Sequence, residues 1–103
     1  MEDFNQIEVP PSFLALFTAP SGHRLTEPMS VIRERYELCE DLAQALTEEA
    51  ATKLFKSGGD PSEVLSRIEG ALAAAGSPVQ PLEATWVVRR LAELLGWDAP
   101  AAD

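Results

Sequence analysis

Cysteine, histidine and basic side chains are scarce in this chain. A single cysteine, Cys39, excludes an intrachain disulfide and suits a reducing compartment. The single histidine, His23, lies far from Cys39 in sequence. That leaves no clustered His/Cys set of the kind a metal site needs, so no metal is expected. Eight Lys and Arg stand against seventeen Asp and Glu, a formal net charge of −9. Phosphate backbones and acidic membranes are repelled by such a surface, so neither nucleic acid nor membrane is an expected partner. No apolar run approaches the ~20 residues that span a bilayer. The start Met1-Glu2-Asp3-Phe4-Asn5-Gln6 is acidic and carries no basic-then-apolar leader. The expected location is therefore the cytoplasm. No repeat of 20–50 residues is apparent.

What the chain does have is apolar periodicity fenced by helix punctuation. Its 103 residues and 46% hydrophobic content fit one globular domain, residues 1–103, rather than a disordered chain. The predicted fold is all-α. It is a small bundle of three main helices, about 28–57, 61–75 and 81–95, plus a short N-terminal helix over about 10–18. An arm, residues 1–9, precedes them and a frayed tail, residues 99–103, follows. Pro10 and Pro11 suit the first turn of the short helix, with Ser12 as an alternative N-cap.

Thr26 and Ser30 compete as the N-cap of the long helix. Val31, Ile32, Leu38, Cys39, Leu42, Ala43, Leu46 and Ala50 share one of its faces at 100° per residue. Glu34, Glu37, Asp41, Glu48 and Thr52 lie opposite. Glu49 and Lys53 form a favourably ordered i,i+4 pair. Ser57-Gly58-Gly59 is its stop. Asp60 caps the next helix, with Glu63 in a capping-box-like position. Val64, Leu65, Ile68, Ala71, Leu72 and Ala75 are its core candidates. Gln80-Pro81-Leu82-Glu83 opens the last helix, which turns Trp86, Val87, Leu91, Leu94 and Leu95 inward. After Gly96, Trp97 folds back as the hydrophobic contact of a C-cap. The long helix is expected to act as the backbone on which the others pack.

No catalytic constellation accompanies this pattern. Ser57-Gly58-Gly59-Asp60 has no downstream lysine, so it reads as a helix–helix turn rather than a phosphate loop. Carboxylates are abundant, but there is no Glu-x-x-His pair and no calcium-loop spacing. Cys39, mid-helix on the apolar face, reads as an inert core thiol. His23 lacks a partner to orient it as a general base. The attachment signature of acyl carrier proteins, Asp-Ser-Leu at a helix start, is replaced here by Asp60-Pro61-Ser62-Glu63. No enzyme activity and no cofactor are expected.

Two arginines fall on apolar faces. Arg35 lies among Val31, Ile32, Cys39 and Leu42, and Arg90 lies between Trp86 and Leu94. They read either as snorkelling stems at a core edge or as polar anchors to a carboxylate, a carbonyl or a partner. Arg90 is also one turn from Trp86, within stacking reach. Arg24, Arg33, Arg35, Arg89 and Arg90 do not converge on one face, which argues again against nucleic acid.

Two segments carry a resemblance. Val9-Pro10-Pro11-Ser12-Phe13-Leu14-Ala15-Leu16 and Arg35-Tyr36-Glu37-Leu38-Cys39-Glu40-Asp41-Leu42-Ala43 resemble short beta-proteobacterial proteins labelled "ATPase with chaperone activity, ATP-binding subunit". The resemblance covers roughly the first half of the chain. With no Walker motif, what it implies is an accessory or substrate-binding partner of such a machine. The functional expectation is an acidic adaptor that binds another protein or itself. Its surface is expected to combine Phe4, Ile7, Phe13 and Phe17 of the arm with Trp97. Arg35 and Arg90 complete the candidate interaction residues. The alternatives are a domain that holds a small anion through Arg35 or Arg90, and a homodimeric structural protein.

Overall fold

The computed structural model describes residues 8–97. Its elements are α1 (Pro11–Leu14), which continues as a 3-10 turn over Ala15–Phe17, then α2 (Met29–Ala45), α3 (Thr47–Ser57), α4 (Pro61–Ala73) and α5 (Pro81–Leu95). The fold is all-α, as the periodicity predicts. Among the described residues, the only extended pairing is an isolated bridge between Thr18 and Leu25. No described helix is long and apolar enough to cross a membrane. The chain divides into two compact units between Leu38 and Cys39, inside α2.

The long helix expected over 28–57 is present but interrupted at Leu46. The Leu46 N–H is shared between the carbonyls of Leu42 (3.0 Å) and Ala43 (3.3 Å). The Thr47 hydroxyl donates to the Gln44 carbonyl at 2.9 Å. A threonine that bonds back to the preceding turn bends a helix in this way. The ladder resumes at once, with the Ala50 N–H donating to Leu46. The start of α2 also differs from expectation. Val31 and Ile32 donate to the Pro28 carbonyl, so the helix opens at Pro28 rather than Thr26 or Ser30.

In the N-terminal unit, α1 opens with Pro10 as N-cap and Pro11 in the first turn. Phe13 is fully buried. Its ring lies 5.6 Å from those of Phe17 and Tyr36, edge-on to Tyr36. Such pairs add to the gain from burial alone. The loop after it is closed by its own backbone. Ala19 N–H donates to Arg24 and Thr26 N–H to Phe17, both at 2.7 Å. Gly22, at φ +82°, makes the turn.

The second unit is built on a shared core. Ala50 of α3, Val64, Leu65 and Ile68 of α4, and Val88, Leu91 and Ala92 of α5 form one buried cluster. Leu46, Leu54, Leu72, Leu95 and Trp97 pack against it. The most enclosed helix is α5 rather than the long one. Glu83, Ala84, Trp86, Val87, Val88, Leu91 and Ala92 are all buried, well over half the circumference at 100° per residue. Leu38 departs from the expected apolar face and is 36% exposed.

The predicted caps are largely in place. Asp60 accepts from the Ser62 N–H at 3.0 Å. Glu63 does not complete a box, because its carboxylate pairs with Arg67 at 3.1 Å. The reciprocal arrangement occurs on α5, where the Gln80 N–H donates to Glu83 at 2.9 Å. α4 stops at Ala73, short of 75, since Ala74 is already extended. At the other end of α5, Gly96 N–H donates to Glu93 and Trp97 N–H to Ala92. That is the paired bonding of a Schellman motif, and it seats Trp97 on the core cluster as expected.

These end conditions separate two glycines. Gly96 sits at φ +72°, while Gly70 lies within α4, and a Cβ at either would meet nothing within 4 Å. Gly96→Ala is expected to cost about 1 kcal/mol through left-handed strain alone. Gly70→Ala is expected to stabilise by about 0.5–1 kcal/mol. Urea denaturation of the two variants reads both signs.

Candidate functional site

The expected interaction residues are distributed differently from the sequence reading. Phe13, expected at an exposed surface, is a core residue of the N-terminal unit, held by ring contacts to Phe17 and Tyr36. Phe17 is half-buried. Trp97 is half-buried too, with its contacts on the core cluster. Phe4 and Ile7 lie outside the described residues. Arg35 is half-buried and already engaged. The exposed large apolar side chains among the described residues are instead Leu25, Leu38, Leu82 and above all Phe55, which is 87% exposed. His23 is exposed and Cys39 is buried.

Arg90 is a polar anchor inside the second unit. Its Nε and Nη2 donate to the two carboxylate oxygens of Glu40, at 2.9 and 3.0 Å. Its Nη1 donates to Glu93 at 2.9 Å. Gln44 adds a 2.9 Å bond to the same Glu40 carboxylate. Both fork positions of the guanidinium are thus matched to one carboxylate, the strongest geometry open to this pair. Arg90's hydrogen bonds hold the Glu40 carboxyl below its ordinary value of 4.5, against the opposing pull of partial burial. The Arg90 guanidinium is raised in turn, first by Glu40 and then by Glu93. The pair ties the C-terminal half of α2 to α5. With its donors occupied internally, Arg90 is poorly placed to hold a free anion. Sequence position flagged Arg90, whereas Glu40, fifty residues earlier, carried no signal of its own.

A concavity of the second unit lies between α3 and α4. A cleft of about 510 Å³ is lined by Leu46, Val64, Ile68, Ala71 and Leu72, which form an apolar floor. Glu49, Lys53, Lys56, Glu63 and Arg67 form its charged rim, with Ser57 at one end. Its volume is within the range of ligand and peptide-anchor pockets. The glutamates are matched along their own helices, Glu49 with Lys53 at 3.6 Å and Glu63 with Arg67 at 3.1 Å. These are exposed pairs of little energetic weight, easily exchanged for other partners. The site was missed from sequence because half of it belongs to each helix. The signal was Lys53, Lys56 and Arg67 flanking apolar positions one helical turn apart.

Among the described residues, no group of three or more His, Cys, Asp or Glu is placed to hold a metal ion. No family model matches the chain, and no curated protein or solved structure matches it.

The Glu40–Arg90 pair has a defined pH signature. The folded carboxyl ionises below its ordinary value. Its stabilisation is therefore complete above about pH 4.5 and is lost as pH falls through the lower folded value. Glu40→Gln is expected to cost about 1–2 kcal/mol at pH 7. The gap from the parent protein should close as pH falls below about 4.5. Urea denaturation at a series of pH values measures this.

Proposed function

We propose that this chain is a non-catalytic helical adaptor whose partner-binding surface is the α3–α4 cleft. The observation that carries this reading is an apolar floor, open between two helices and bordered by charges that are paired only at the surface. Clefts of this form are used to seat anchor side chains of a protein partner. The reading keeps the adaptor role expected from composition and moves its surface from the arm to the second unit. The chain's net charge of −9 keeps the remaining surface solvated and disfavours non-specific association. The resemblance in residues 9–16 and 35–43 directs the search for partners first to ATP-driven chaperone machines.

Ala71 offers a clean test, since it is exposed and lines the cleft. Ala71→Arg places a long charged side chain in the cleft from an exposed position that is not itself part of the buried cluster. The variant is expected to keep its circular dichroism and melting temperature while losing most of the proteins that the parent captures from cell extract. Retention of the same set by the variant would overturn the assignment of the cleft.

A further inference from the structure

The composition and dimensions of the cleft specify its occupant. Both lysines of the chain, Lys53 and Lys56, and also Arg67 stand on its rim. Three cations against two acids make this a local reversal of sign on a chain of net charge −9. The two acids are already matched by Lys53 and Arg67 along their own helices. Lys56 remains as an exposed cation on the α3 rim, and Arg67, with a side chain 77% exposed, stands on the α4 rim in a surface pair with Glu63 that a partner carboxylate can exchange.

The floor has helical spacing, with Val64, Ile68 and Leu72 four residues apart on α4 and Leu46 at the N-cap of α3. From Leu46 to Ser57 and from Glu63 to Leu72, the two walls run roughly 14–16 Å at 1.5 Å per residue. The i to i+7 span of a partner helix is about 10 Å, so the cleft accepts one apolar stripe of two to three turns.

Resting on the adaptor reading, we infer that the cleft binds an amphipathic helix of another protein whose apolar stripe is flanked by Asp or Glu. The partner's leucine-like anchors lie on Leu46, Ala71 and Leu72, over the small exposed edges of Val64 and Ile68. Its flanking carboxylates meet Lys56 on one side and Arg67 on the other. Charge complementarity of this kind sets specificity and salt dependence more than raw affinity. An extended small amphiphile would satisfy only one rim.

The test uses the intact chain and two designed helical peptides of about 14 residues, a length that carries i, i+4 and i+7 anchors. Both bear leucines at those positions. One is flanked by glutamates, the other by lysines, and binding is followed by calorimetry at low and high salt. The glutamate peptide is expected to bind at least roughly tenfold more tightly than the lysine peptide, and to weaken as salt rises. The double variant Lys56→Glu/Arg67→Glu changes only exposed positions and is expected to invert that preference. Ala71→Arg is expected to abolish binding of either peptide.

Equal binding of the two peptides, or no binding of either, would overturn the acidic-helix proposal. So would decanoate binding in the cleft without peptide binding. A dimer in light scattering that Ala71→Arg dissociates would assign the cleft to a second copy and overturn it as well. The adaptor reading stands or falls separately, on whether Ala71→Arg loses its cellular partners.

Discussion

Three residues, Gly58, Gly59 and Asp60, separate the last turn of α3 from the first turn of α4. Gly58 takes the left-handed conformation at φ +59° and donates back to Leu54, while Asp60 is already capping the next helix. So short a connection keeps the two helices neighbours, and they pack against each other. Their apolar stripes are then continuous on the side that meets α5, where Ala50, Val64, Leu65 and Ile68 join Val88, Leu91 and Ala92. At the edge of that core, Val64 and Ile68 also line the apolar cleft, together with Leu46, Ala71 and Leu72. The core and the candidate site thus share residues of one helical hairpin.

The enclosure of α5 sets the second constraint. A half-buried charged side chain on so enclosed a helix is costly without a partner, whereas the neighbouring Arg89 is exposed to solvent. Arg90 resolves this with a forked pair to Glu40 and a third bond to Glu93. Glu83, 2% exposed, is spent on the N-terminus of the same helix, where its carboxylate takes the Gln80 N–H. The strongest charged contacts described are therefore architectural. The exposed pairs at the cleft are the ones free to rearrange around a partner, because they lose little when broken.

Local chemistry made much of this legible. Pro at a helix start and Gly past its end located α5 at Pro81–Leu95. The fold-back of Trp97 followed from the same rule. One failure was non-local and the other local. Phe13 and Phe17 looked like an exposed arm because nothing in their own segment shows that Tyr36 covers Phe13. The break at Leu46 escaped because Ala and Leu neighbours carry high helix propensity, and the cause was one hydroxyl bonding backward from Thr47.

By itself, the sequence determined the helix content, most of the caps and the absence of any recognised catalytic motif. Each of these depends on residues within a turn or two of one another. Only the tertiary structure decided which helix is central, which carboxylate answers Arg90, and that Lys53, Lys56 and Arg67 border one apolar cleft. Those facts depend on which helix faces meet, across the Gly58–Asp60 turn for the cleft and between α2 and α5 for the ion pair. Periodicity tells which face of a helix is apolar, but not what that face will touch.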